Sequence, residues 1–336
     1  MLFVDLKAEY SYYKEKIEDR INIVLSSGKF LLGPQLEELE ASLQTISGKK
    51  YAVGVKNCTD AIILVLKYIY RGQTVILPNF GAYPTAVACR NVTDKLFYVD
   101  VDDTYTINVD KLPGFKGSIV IAVNLFGNNC DLKRLREYCD VTNSILVEDC
   151  AQSTGSGSGV YGDFSVFSFY PTKPLASMGD GGMICTDQED AHDFFKKMRF
   201  YGQTEYGIEM VGLNSRMDEF QCAIVNAKVG GYQELNDRRI EIASKYKTVV
   251  RGMKIRGRCV FHQFPVRFEH YDHQSVPFMN HYAHHASDFD CLKGVYNEVS
   301  YRISDNIVSI PIHPFLTDIE IEHIMEFLND NAYAEI

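Results

Sequence analysis

Three stretches of the chain place reactive side chains directly after apolar runs. In FSVFSFYPTKPLASMGDGG, Phe164, Val166, Phe167 and Phe169 lead into Pro171, Lys173 and a glycine-rich turn. A lysine just beyond a buried strand is partly desolvated, which lowers its pKa and leaves an amine able to condense with a carbonyl. A solvated loop lysine is the plainer account of that residue alone. In SILVEDCAQS an apolar run leads into Glu148, Asp149 and then Gln152. An acid at the carboxyl end of a buried strand sits where open α/β sheets bind ligands, although a helix cap or an ion-pair partner would look the same. In VKNCTDAI a strand runs into Asn57, Thr59 and Asp60 at a helix start. Hydroxyl and backbone N–H donors there suit a phosphate, and N-capping accounts for Thr59 equally well.

Singly these signals are weak; together they specify one cofactor. Pyridoxal 5′-phosphate needs an amine for its aldehyde, a carboxylate that keeps its pyridine nitrogen protonated, and helix-end donors for its phosphate. Lys173, Asp149 and the pair Thr59 with Ser168 supply all three.

The elements that must position these groups follow from the apolar pattern. Strands are expected at 51–55, 74–77, 95–101, 118–123, 145–148, 164–169 and 182–186, several of them continuously apolar, as when both sheet faces are buried. Helical spacing covers 9–25, 35–47, 60–70, 132–140, 189–200, 218–229 and 233–251. The alternation reads as α/β, a mostly parallel central sheet sandwiched by helices, filling a large domain over 1–230. A smaller α+β domain follows over 231–336, with 233–251 as a bridging helix, RGMKIRGRCVFHQFPVRF as strand-rich chain, 270–285 as a polar loop and 318–329 as a closing helix.

Composition narrows the partners. The 336 residues are 46% hydrophobic and 23% charged, an ordinary folded chain, and the net charge of −10 disfavours nucleic acid as a partner. No stretch reaches the roughly 18 apolar residues that span a bilayer, and charge begins at Asp5, against a signal peptide. Nine scattered cysteines without a C-x-x-C pair read as reduced thiols, so a cytoplasmic protein without membrane attachment is expected. A formal G-x-G-x-x-G match, Gly157–Gly159–Gly162, leads into a strand and not a helix, so it does not mark a dinucleotide site. GSGSG reads instead as a flexible turn over the cofactor mouth. The histidines at 270, 273, 281, 284 and 285 have no cysteine or carboxylate pair beside them, and no metal site is expected.

The chain resembles the DegT/DnrJ/EryC1/StrS family of sugar aminotransferases. The resemblance rests on GKFLLGPQLEELE, YAVGVKNCTDAI, VEDCAQS, GDFSVFSFYPTKPLASMGDGG, GLNSRMDEFQCAIV, HQFPVR and SIPIHPFLT. It implies a fold-type-I, aspartate aminotransferase-like enzyme using pyridoxal phosphate, with pyridoxamine 5′-phosphate as the form between half-reactions. By the same resemblance Lys173 carries the cofactor, Asp149 faces the pyridine nitrogen and Gln152 lies beside the ring. Ser168 and the Cys58–Thr59 turn contact the phosphate, and Asn214 reaches it across a homodimer interface, so the two active sites are shared. Several positions depart from the pattern. Ala82 falls where an aromatic residue usually stacks on the ring, leaving Tyr83 or Phe80 for that contact. Cys58 replaces a glycine, Asn124 stands at a histidine position, and the chain is shorter between Gln152 and Asp163 and around HYAHHASDFDCLKG.

The implied reaction moves the amino group of L-glutamate to a 3-keto or 4-keto deoxysugar linked to a nucleotide. Its product is an amino sugar for O-antigen, other surface glycans or natural products. A dehydratase of the same family would carry histidine in place of Lys173, and a non-catalytic sensor need not keep Lys173, Asp149 and Gln152 together.

Overall fold

The computed structural model describes residues 2–250, 252–267 and 307–331. The chain opens with helices α1 (Leu6–Ser27) and α2 (Pro34–Ser47), then strand β1 (Tyr51–Val55) and helix α3 (Cys58–Ile69). There follow β2 (Val75–Pro78), α4 (Tyr83–Arg90), β3 (Leu96–Val99), β4 (Ile119–Val123), α5 (Leu132–Thr142), β5 (Ile145–Asp149), β6 (Phe164–Ser168) and β7 (Gly182–Thr186). Helix α6 (Glu189–Met198), the short strands β8 (Gln203–Thr204) and β9 (Gly207–Ile208), α7 (Glu219–Val229) and α8 (Tyr232–Tyr246) lead to β10 (Phe264–Arg267), β11 (Ile307–Ile310) and α9 (Asp318–Asn331).

Seven strands form one sheet in the order β1-β7-β6-β5-β4-β2-β3, parallel except for β7, which runs antiparallel to both its neighbours. Strands β2, β4, β6 and β7 are buried at every position, so their apolar runs are continuous and not alternating. Because β7 is reversed, its first residue lies beside the last residues of its neighbours: Gly182 pairs with Ser168 and with Val55. Asp149, at the end of β5, pairs with Val123 of β4 and Val166 of β6. One edge of the sheet therefore collects Asp149, Ser168, the turn after β1 and the loop after β6 that carries Lys173. This is the carboxyl edge at which open α/β sheets bind ligands.

All seven sheet strands foreseen from the sequence form, within a residue or two at their ends. Helix α4 was not foreseen; Pro84 stands at its start, where a missing N–H is harmless, and NFGAYP reads locally as a loop. The strand-rich expectation for the stretch after 250 is corrected, since before β10 that segment forms no ladder. Its backbone bonds go singly to the sheet domain, with Lys254 N donating to Asp103 O, Arg256 N to Asn128 Oδ1 and Val260 N to Gly127 O, at 2.9–3.2 Å. Helix α8 ends at Tyr246, five residues short of its expected end. Strands β10 and β11 pair antiparallel, and their buried residues join the core beneath the sheet through Tyr246, Phe261 and Phe264. Among the described residues no helix is long and apolar enough to cross a membrane, and no cluster of His, Cys, Asp and Glu is arranged to hold a metal ion. The histidine-rich loop at 270–285 and the shortened stretch around HYAHHASDFDCLKG lie outside the described residues.

Two buried carboxylates lock sequence blocks together. Glu219 of α7 is 1% exposed and accepts from the N–H groups of Gly33, Gln35 and Leu36 at 2.8–3.1 Å, so it caps α2 from across the fold. Glu148 is fully buried and accepts from Gly159 N at 2.8 Å and Gly162 N at 2.6 Å. Burial pushes its pKa up, against these donors. This carboxylate accounts for two glycines of GSGSGVYG, Gly159 and Gly162, which present backbone N–H groups to it. The expectation of a flexible turn over the cofactor mouth is thus corrected. The loop is pinned to Glu148, closed by a Ser153–Ser158 hydroxyl bond of 2.7 Å and held by Asn236 of α8 at Thr154 O.

Candidate active site

A cavity of about 770 Å³ opens at the carboxyl edge of the sheet, lined among others by Cys58, Thr59, Asp149, Gln152, Ser168 and Lys173. That volume lies within the range of small-molecule and cofactor sites. Helix α3 begins at its wall. Asn57 caps α3 by accepting from Asp60 N at 2.8 Å, which leaves the N–H groups of Cys58 and Thr59 without intrahelical partners. The Ser168 hydroxyl accepts from Tyr170 N at 3.3 Å and keeps its own hydrogen to donate. A Cβ built on Gly182 would lie 2.5 Å from the carbonyl carbon of Asn57 and 2.7 Å from Cys58 N, so only glycine lets this turn lie across β7. Two backbone donors, two hydroxyls and the positive end of a helix converge there, the donor set an anion such as phosphate requires.

Asp149 stands deeper in the same cavity, 4% exposed. Its Oδ2 accepts from Thr85 Oγ1 at 2.7 Å, its Oδ1 from Ala151 N at 3.1 Å, and Cys58 Sγ lies 4.0 Å from Oδ1. Burial raises its pKa, while the Thr85 hydroxyl, the Ala151 N–H and the charge of Lys173 pull it down. The ammonium of Lys173 has no hydrogen-bond or ion-pair partner among the described residues. Burial lowers its pKa, against the attraction of Asp149 and Cys58. An uncommitted, desolvated amine facing a desolvated carboxylate and an anion cradle is the set of groups that pyridoxal phosphate demands. The residues present fit that cofactor.

Gln152 lines the cavity and accepts from Phe126 N at 2.7 Å, which ties it to a turn where Phe126 holds a φ of 58°. Asn124, at the position where the family usually has histidine, is a buried support: its N–H donates to Asp149 O at 3.0 Å and its Oδ1 accepts from Cys130 N at 2.8 Å. Tyr83 and Phe80 do not line the cavity, although Ala82, Pro84 and Thr85 do. Phe80 packs in the core against Tyr105 and Phe126, so it is not available to a cofactor ring. Asn214 is exposed and lies outside this cavity, its Oδ1 accepting from Arg216 Nη2 at 2.7 Å. The next residue, Ser215, is buried and donates to Asp60 Oδ2 at 2.7 Å, which fixes the segment beside the start of α3.

Sequence reasoning missed Thr85 because its helix was missed. It also missed Phe3, Val4, His262 and Gln263, which line the cavity from parts of the chain far from the sheet edge. The last two stand in HQFPVR, a stretch singled out as a family block without a role.

This fold and this site define a fold-type-I, pyridoxal-phosphate-dependent enzyme. The chain belongs to the DegT/DnrJ/EryC1/StrS aminotransferase family, whose pattern matches residues 11–329. A dTDP-3-amino-3,6-dideoxy-alpha-D-galactopyranose transaminase from Aneurinibacillus thermoaerophilus is 30% identical over 98% of this chain and 99% of its own length. A UDP-N-acetyl-3-dehydro-alpha-D-glucosamine 3-aminotransferase from Acidithiobacillus ferrooxidans is 29% identical over 96% of this chain and 95% of its own. The crystal structure of a family member from Brucella abortus superposes with a TM-score of 0.90 at 27% identity, covering 98% of this chain and 99% of that one.

Proposed function

We propose that this aminotransferase moves the amino group of L-glutamate to the carbonyl of a 3-keto or 4-keto deoxysugar linked to a nucleotide, in the making of amino sugars for surface glycans or natural products. The observation that carries the reading is the meeting of an uncommitted Lys173 amine, the Asp149 carboxylate and the α3 anion cradle in one cavity, in a chain whose relatives are nucleotide-sugar transaminases. Bound pyridoxal phosphate supplies a carbonyl that captures amines and a ring that draws electrons from the atom beside the captured nitrogen. Around it, the donors of Cys58, Thr59 and Ser168 hold the phosphate. Asp149 holds a proton on the ring nitrogen, and Gln152 orients the ring. Lys173 Nζ carries the cofactor between turnovers. When its amine is free, Lys173 Nζ would be the base that moves the proton of the amino donor's α-carbon.

The cofactor-loaded protein incubated with L-glutamate alone is expected to release one 2-oxoglutarate per site, and then to aminate one member of a panel of dTDP-, UDP- and GDP-linked 3-keto and 4-keto sugars. Both relatives' names put the nitrogen at position 3, so the 3-keto sugars are tested first. No 2-oxoglutarate removes glutamate as donor; amination of a keto-sugar phosphate alone removes the nucleotide.

The site is read as shared between two subunits. Lys173 is the one Lys or Arg among the described residues lining the cavity, too little for substrates that carry carboxylates and a diphosphate. Asn214 is exposed and outside this chain's own cavity, and with its oxygen held by Arg216 its amide N–H₂ remains to donate to the neighbouring subunit's cofactor. Lys173→Ala and Asn214→Ala, each impaired alone, are expected to recover up to about a quarter of full activity when mixed and allowed to exchange subunits, because a heterodimer puts both defects in one site. An exchanged mixture that stays inactive would place Asn214 in its own subunit's site. Eight described cysteines are unpaired, which supports a reducing compartment such as the cytoplasm.

A further inference from the structure

We propose that Thr85 is a positioning residue for Asp149, its hydroxyl fixing the Oδ2 oxygen so that the carboxylate meets the cofactor's ring nitrogen as an oriented anion. The proposal rests on the assignment of Asp149 to that nitrogen. Asp149 is an isolated charge, 4% exposed, with no ion-pair partner within 4.0 Å among the described residues. Thr85 Oγ1, at 2.7 Å and itself 6% exposed, is the one donor to Oδ2 among the described residues. A threonine in the first turn of a helix ordinarily bonds to backbone of its own turn. Here the hydroxyl reaches instead from α4 to the end of β5, 64 residues away. It therefore serves the carboxylate and not its own helix.

The other groups facing Asp149 do not replace it. Ala151 N donates to Oδ1 only, at 3.1 Å, and Cys58 of α3 offers a thiol 4.0 Å from that same oxygen. Cys89 of α4 and the neighbouring Cys150 are thiols that burial keeps protonated, with Glu148 adding at Cys150 and Asp149 at both. Lys173, from the loop after β6, acts only through space. Burial raises the Asp149 pKa and the Thr85 hydroxyl lowers it, so removing the hydroxyl lets the carboxyl take up a proton at higher pH.

The test is the affinity of the apoprotein for pyridoxal phosphate alone, measured across pH for wild type, Thr85→Val, Thr85→Ser, Asp149→Asn and the double variant. A bond to a charged acceptor is worth about tenfold. In Thr85→Val the fall of affinity toward acid is expected to begin about one pH unit higher than in wild type. Thr85→Ser, which keeps the hydroxyl, should restore the wild-type profile, and Thr85→Val should leave the pH profile unmoved when Asp149 is already asparagine, which does not titrate. A wild-type profile in Thr85→Val overturns the proposal. So does an equal loss at every pH that persists in the double variant, the mark of a merely structural tie between α4 and β5. If Thr85→Val does not fold, Thr85→Ala takes its place. Asp149→Asn with the affinity and profile of wild type would overturn the assignment of Asp149 itself, and Thr85 with it.

Discussion

Lys173→Ala and Lys173→Arg are each expected to reduce transamination to below a few per cent of wild type, with the fold intact. Lysine does two things at this position that arginine cannot. Burial lowers its pKa, so a neutral amine is present at lower pH than on an exposed lysine, and that amine condenses with the cofactor carbonyl. In the proposed reaction it then moves a proton as well. A guanidinium stays charged at any accessible pH, so Lys173→Arg keeps the cation near Asp149 while removing both functions. The two variants thus separate chemistry from charge. Lys173 makes no ion pair among the described residues, and its burial disfavours its charge, so thermal unfolding should change little in either. The measurements are turnover with glutamate and keto sugar, the visible band of the lysine-linked cofactor, and the unfolding midpoint. Activity of more than a few per cent in either variant would take the role away from Lys173.

How much of this was legible beforehand follows from which residues act locally. Lys173, Asp149, Ser168 and the Asn57–Thr59 turn each sit at the end of a strand whose apolar run is unmistakable, so the sheet that gathers them could be inferred from hydrophobic pattern alone. The reversal of β7 could not, yet it is what brings Gly182 against the Asn57–Cys58 turn. Thr85 was invisible for a different reason. A helix of eight residues with proline second gives too little periodicity, and the Thr85 hydroxyl finds its partner across 64 residues of chain. The glycines of GSGSGVYG were misread because flexibility was inferred from composition, whereas the buried carboxylate that Gly159 and Gly162 bind, Glu148, stands eleven residues before the first of them. The apolar residues 252–263 looked like strands because an apolar segment anchored by separate bonds has the same composition as one in a ladder. Propensity and pattern report on local order; these four misses all turn on contacts distant in sequence.

The Asp149→Asn protein is expected to bind pyridoxal phosphate and yet turn over roughly 10²- to 10⁴-fold more slowly, a loss of about 3–5 kcal/mol of transition-state stabilisation. The anion cradle at the start of α3 is untouched, so the cofactor stays in place. What is lost is the negative charge that keeps a proton on its ring nitrogen. Asparagine preserves shape and can still accept from Thr85 through its amide oxygen, so the loss reads charge and not packing. The same substitution should act oppositely on the stability of the apoprotein. Burial raises the Asp149 pKa above that of an unfolded aspartate, so the folded state disfavours the anion. Wild-type stability is therefore fully present below the unfolded value and declines as pH rises from there through the raised folded value. Asp149→Asn removes this term, and its apoprotein should unfold no more easily than wild type at neutral pH, with its advantage shrinking in acid. The pairing is refuted by turnover within tenfold of wild type. A slow variant whose apoprotein is also markedly less stable at neutral pH would show that Asp149 supports the fold instead of the chemistry.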